Sequence, residues 1–120
     1  MRPAEAPGVL APRGRDSMTT ATEIESLEEE GLVVVDCYAN WCGPCQALKP
    51  IMARLERDFP AVRFFALDVD KSENIDFQKK HNIRGVPTLL FFKQGELVHQ
   101  MVGLKSAGEI AGAIKAHAQD

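Results

Sequence analysis

The stretch "LVVVDCYANWCGPCQALKP", residues 32–50, changes its periodicity halfway along. Residues 32–38, "LVVVDCY", are a short run rich in valine. Continuous apolar character of that kind predicts a strand covered on both faces. From residue 43 the pattern becomes helical. Leu48, Met52, Leu55 and Phe59 recur at intervals of four, three and four, which lays one apolar stripe along a helix over residues 43–59. Pro44 suits the first helical position, and Pro50 should kink the helix it sits in. Two cysteines, Cys42 and Cys45, therefore stand where a strand hands over to a helix. A third, Cys37, lies five residues upstream of the pair.

Working outward, "TEIESLEEE", residues 22–30, reads as a helix, with Thr22 and Glu25 at capping-box spacing and Gly31 as its stop. "AVRFFAL", residues 61–67, is a second strand. Asp70 or Ser72 can cap a helix that runs to about Lys80 and ends at Asn82. "TLLFFK" (88–93) and "LVHQMV" (97–102) flank Gln94-Gly95-Glu96, an antiparallel hairpin. The last helix opens on a second capping box, Ser106 and Glu109, and its stripe is Ala107, Ile110, Ala111, Ile114 and Ala118. Strands joined through helices run parallel with right-handed crossovers. The fold class is thus α/β, with a mixed central sheet of four to five strands flanked by four helices. Residues 1–18 hold three prolines, two glycines and three arginines without periodicity, and read as a flexible leader to a domain at 19–120.

Composition narrows the function. A chain of 120 residues suits one domain with one core. The net charge of −3 gives no sign of nucleic-acid or anionic-membrane binding, and no run of 18 apolar residues exists to cross a bilayer. Three cysteines cannot all pair within the chain, which favours a reducing compartment and a CxxC that binds metal or does chemistry. Zinc would require four ligands, yet His81, His99 and His117 are scattered. The C-x₄-C-x₂-C spacing of Cys37, Cys42 and Cys45 imitates an iron–sulfur run but lacks a fourth cysteine. A purely structural disulfide across so short a loop would stabilise little. A redox couple explains more. At the start of a helix, Cys42 meets unsatisfied backbone N–H groups and the positive end of the helix dipole, and both favour thiolate over thiol. Cys45, one turn in, should be more buried and less acidic. Cys42 would then attack a substrate disulfide and Cys45 would resolve the mixed disulfide.

The same residues resemble a known family. "WCGPC" at 41–45 matches the active-site motif of thioredoxins, and "VVVDCYANWCGPC" and "IRGVPTLLFFKQGE" around it look like that family across roughly residues 19–118. The resemblance implies the thioredoxin fold and a protein-disulfide reductase that holds cell redox balance. It implies no bound cofactor, with electrons coming from NADPH through a separate thioredoxin reductase. Partners would be that reductase and disulfide-containing proteins, the chain a monomer, and its setting the cytoplasm. In the family the attacking cysteine titrates near ~7 against ~8.5 for a free one, which lifts the thiolate fraction at neutral pH from roughly 3% to roughly half. A disulfide isomerase or oxidase domain, and a non-catalytic binding module, are the alternatives.

The resemblance also assigns site residues. Asp36 becomes the buried acid that serves Cys45 as general base. The lysine often placed near that acid is replaced here by Ala66, so Asp36 should be harder to ionise. Val86-Pro87 becomes a cis peptide against the cysteine pair, with the Val86 backbone open to an extended substrate. Trp41 becomes a contact residue whose indole N–H reaches Asp70. Gly43, Pro44, Val86, Pro87, Gly103 and Leu104 complete a docking patch. Phe64, Phe65, Phe91 and Phe92 are read as core. Two departures stand out. The segment from Asp70 to Ile83 is about two residues longer than usual, with His81 where an aromatic is common. Cys37 replaces a bulky apolar residue and should face away from Asp36, as a small hydrophobe.

Overall fold

The computed structural model describes residues 31–118, and the helix expected over 22–30 and the leader at 1–18 lie outside them. In chain order the elements are β1 (Leu32–Tyr38), α1 (Gly43–Asp58), β2 (Arg63–Asp68), a single 3₁₀ turn (Ser72–Asn74), α2 (Ile75–Lys80), β3 (Thr88–Lys93), β4 (Glu96–Val102) and α3 (Ala107–Ala118). The sheet has the order β2-β1-β3-β4. β1 runs parallel to β2, to which α1 connects it, and antiparallel to β3. β3 and β4 form the expected hairpin. Gln94 (φ 55°) and Gly95 (φ 84°) both take the left-handed conformation that matches a tight turn to strand twist. Among the described residues this is a four-stranded mixed sheet with three helices.

β1 is buried along its whole length, because both of its faces are covered. Strand alternation divides the core in two. Val33, Val35 and Cys37 join Phe65, Leu67, Leu90 and Phe92 under Phe77 of α2. Leu32 and Val34 join Phe64, Leu89 and Phe91 on the other face, under Leu48, Met52 and Leu55 of α1 and Ile110 and Ile114 of α3. The four phenylalanines read as core are therefore all core, two on each face. Each large apolar side chain so buried contributes about 1.5–3 kcal/mol before entropy is counted.

Local signals held where the chemistry was specific. Ser106 and Glu109 form the reciprocal box: the Glu109 amide donates to Ser106 Oγ (3.1 Å) and the Ser106 amide to Glu109 Oε1 (3.0 Å). The Glu109 carboxylate accepts from the Ser106 amide and also from the Ser106 hydroxyl (3.2 Å), and those two bonds hold it below its ordinary range. Asn82 (φ 57°) ends α2, with the Ile83 amide returning to the Gln78 carbonyl (2.9 Å). Two details differ from expectation, the place of Pro44 and the cap of α2, whereas Pro50 lies inside the helix as expected. Pro44 is the second helical residue, since α1 starts at Gly43. The helix continues to Asp58 through Pro50, whose missing N–H forgoes the bond to the Gln46 carbonyl. Neither Asp70 nor Ser72 caps α2: the chain makes the 3₁₀ turn first, and no side chain caps it or α2.

Candidate active site

The Cys42–Cys45 pair stands at the N-terminus of α1 as a disulfide, with a Cα–Cα distance of 5.3 Å. Cys42 is itself the N-cap: its backbone is extended (φ −90°, ψ 115°), and its sulfur accepts the Cys45 backbone N–H at 3.1 Å. That N–H is one of the donors a helix start leaves unsatisfied, so the cap position supplies a partner for negative sulfur. The first turn of α1 contains no acidic residue to oppose it. Cys45 is buried as expected, at 2% exposure, but Cys42 is nearly as buried at 4%, less open than the sequence suggested for an attacking group. Its neighbours Trp41, Gly43 and Pro44 are exposed. A Cβ added at Gly43 would meet nothing within 4 Å, so no contact inside the protein demands a glycine there.

Asp36 lies one strand away and is 3% exposed. Alternation puts it on the α1 side of the sheet, with Val34 and Tyr38. Its ladder partners are Ala66 on β2 and Leu89 on β3. Ala66 packs in one cluster with Tyr38, Ala39, Cys42 and Cys45, which sets Asp36 beside the pocket that holds the pair. Ala66, the residue expected in place of a lysine, is thus directly alongside Asp36.

The rest of the patch assembles from three loops. The Val86–Pro87 bond is cis, and Val86 packs against the cysteine cluster. The Gly103 amide donates to the Pro87 carbonyl at 2.9 Å, joining the loop after β4 to the cis-proline loop. Gly103 has φ 92°, a conformation that favours glycine. Leu104 beside it is 48% exposed. Trp41 is 72% exposed, and its indole N–H donates to Asp70 Oδ2 at 2.9 Å.

The sequence reading missed what holds Asp70. Asp68 is buried, and its Oδ1 accepts the Asp70 amide (2.9 Å) while its carbonyl accepts from the buried Asn74 side chain (2.8 Å). The signal was present as "DVD", residues 68–70, since aspartate commonly accepts from the backbone two residues on. His81 was expected where an aromatic is common. Its ring packs against Phe77 (centroids 4.4 Å) and Phe92 (5.3 Å), as an aromatic there would.

Cys37 takes no part. It is fully buried on the opposite face from Asp36, in the cluster under α2. Burial, and secondarily the charge of Asp36, drive its thiol far above the ordinary range, so it stays protonated. The three cysteines therefore do not converge, and among the described residues no three His, Cys, Asp or Glu side chains gather as a metal site.

Residues 17–116 match the family described as Thioredoxin. The chain belongs to the thioredoxin family. Thioredoxin-1 of Saccharomyces cerevisiae is 42% identical over 100 residues, which span 82% of this chain and 94% of the yeast protein. Thioredoxin Asp f 29 of Aspergillus fumigatus is 39% identical over 92 residues, 75% of this chain and 81% of that one. Among solved structures, oxidized mitochondrial thioredoxin 3 of S. cerevisiae superposes with a TM-score of 0.76 at 32% identity, covering 85% of this chain and 94% of the other. Family membership together with the disulfide makes this thioredoxin a thiol–disulfide oxidoreductase, active on protein disulfides.

Proposed function

We propose that Cys42 is the attacking cysteine, Cys45 the resolving one and Asp36 the base that deprotonates Cys45. In the reduced protein the Cys42 thiolate attacks one sulfur of a substrate disulfide. A mixed disulfide forms and the first substrate thiolate leaves. Asp36 takes the Cys45 proton, the Cys45 thiolate attacks Cys42 sulfur, and the second substrate thiolate leaves. The protein is then in the disulfide form described above. The observation that carries this order is the cap geometry. The sulfur of Cys42 receives the Cys45 N–H, so negative charge is stabilised at residue 42 rather than at residue 45.

Trp41, Gly43, Pro44, Val86, Pro87, Gly103 and Leu104 form the docking surface for substrate. An extended segment pairs with the Val86 backbone and brings its disulfide to Cys42. Residues 19–120 are the working domain and 1–18 a leader outside the chemistry. The protein acts as a monomer and needs no bound cofactor. Electrons reach it from NADPH through a separate thioredoxin reductase. One solved structure similar to this chain concerns thiol resolution in a yeast mitochondrial 1-Cys peroxiredoxin through glutathione and thioredoxin systems, which supports an oxidised protein thiol as the partner. A free, buried Cys37 supports work in a reducing compartment, the cytoplasm.

The test is insulin reduction coupled to NADPH and thioredoxin reductase. The wild-type protein should turn over, Cys42→Ser should be inert, and Cys45→Ser should accumulate mixed disulfide without turnover. Absence of wild-type turnover would remove the reductase assignment. A reduction potential near ~−180 mV, instead of the ~−270 mV found for thioredoxin itself, would transfer the protein to the isomerases.

A further inference from the structure

A second concave surface lies on α2. Ile75, Gln78 and Lys79 are spaced i, i+3 and i+4 on the helix, and with Asn82 and Ile83 just beyond its end they line an open groove of about 390 Å³. Ile75 is a large apolar side chain left 43% exposed there. Lys79 is the charged member of the lining. Arg84 adds a second cation at the rim, since its Nε donates to Asn82 Oδ1 at 3.0 Å. Asp76 is one residue on from Ile75, about 100° further round the helix, and is not part of the lining.

Both ends of this segment border the dithiol. At one end Gln78 Nε2 donates to the Val69 carbonyl at 2.6 Å. Val69 packs against the cluster of Cys42 and Cys45, and the next residue, Asp70, holds the Trp41 indole. At the other end Ile83, Arg84 and Gly85 lead straight into the cis Val86–Pro87 bond. The groove is thus tied at both ends, through Val69 and through the chain from Ile83 to Val86, to the elements that carry the proposed docking patch.

We propose that this groove is a selectivity subsite for the substrate, taking an apolar side chain of the disulfide-bearing protein together with an adjacent Asp or Glu. The apolar residue lies on Ile75 and Ile83, and the carboxylate meets Lys79 and Arg84. A basic segment in the same place is repelled, so the discrimination has an attractive and a repulsive part. The assignment rests on the dithiol reading above and names the substrate class for that same site.

The probes are three synthetic peptides, each with one internal disulfide loop. Their tails on both sides of the loop are Leu-Glu repeats, Leu-Lys repeats or Gly-Ser repeats. Hydroxyethyl disulfide, small and neutral, is the control. The reduced full chain should reduce the Leu-Glu peptide about tenfold faster, by kcat/KM, than the Leu-Lys peptide. Added salt should narrow that ratio. Lys79→Glu should abolish or invert the preference, and Ile75→Ser should slow both leucine-bearing peptides toward the Gly-Ser rate. Neither variant should change the rate with hydroxyethyl disulfide. Equal rates for acidic and basic peptides, or a preference that survives both substitutions, would overturn the subsite while control turnover left the dithiol chemistry standing. Failure of the wild-type protein on hydroxyethyl disulfide would overturn the dithiol reading itself, and the subsite with it.

Discussion

Asp36 and Cys37 are consecutive residues of one buried strand, yet they serve opposite sides of the sheet. The Asp36 side, under α1 and α3, carries the polar chemistry: the disulfide, the buried carboxylate and, farther along, the stacked rings of His99 and His117 at 4.8 Å. The Cys37 side, under α2, is a closed apolar cluster in which a thiol is only filler. Nothing in the two side chains alone assigns these parts. The pleat does, by turning successive residues to opposite faces. Chemical type then fits position: the buried carboxylate is on the side of the disulfide, and the buried thiol is on the apolar side.

The sharpest way to break this contrast is alkylation. In dithiothreitol-reduced native protein at neutral pH, iodoacetamide should label Cys42 on the order of 10³-fold faster than Cys37, read by peptide mass mapping. Burial keeps Cys37 protonated, and labelling should appear only on unfolding. Comparable rates at the two sites would erase the distinction between the faces.

Next in size is Asp36→Asn. It should slow disulfide reduction near neutral pH on the order of 10–100-fold, by removing the base for the resolving step. The deficit should shrink toward pH 9, as Cys45 ionises unaided. A rate unchanged at pH 7 would take Asp36 out of the mechanism.

Cys37→Ala should leave insulin reduction unaltered and lower stability by about 1 kcal/mol, the cost of one lost buried heavy atom and its small cavity, measured by urea unfolding. A loss of activity without a loss of stability would give Cys37 a role that its burial denies.

The smallest expected effect belongs to His99. Burial first, and the His117 ring second, lower its affinity for a proton. The unfolded chain binds that proton more readily, so the stabilisation is complete above the ordinary histidine range and fades as pH falls through it. Unfolding midpoints should drop between pH 7.5 and pH 5.5, and less so in His99→Gln. Glu109 titrates below this window and does not confuse the comparison, because its shift is also downward. An identical drop in the variant would separate His99 from the acid sensitivity.

Much of this could be read along the chain because the signals were local. β1 and β3 fell on the predicted residues, and the capping box of α3 formed as written, since each depends on neighbours within a few positions. The active-site motif was legible for the same reason: two cysteines and a helix start lie within one turn. The start of α2 was misread because Asp70 accepts the Trp41 indole N–H, while Asn74, at the N-cap position, gives its side chain to the Asp68 carbonyl. Which rings His81 meets was not legible, because its partners Phe77 and Phe92 come from two different elements.

The sequence by itself determined the order of strands and helices, the redox pair and its place at a helix N-terminus. Those follow from periodicity, caps and spacing, which act over one or two turns of chain. Tertiary structure alone decided which side of the sheet each group serves and what stands next to it. It set Ala66 beside Asp36, tied Gly103 to Pro87, buried Cys42 nearly as deeply as Cys45 and opened a groove beside Ile75. Contacts of that kind join residues far apart in the chain, and they exist only once strands are in register and two faces have been covered.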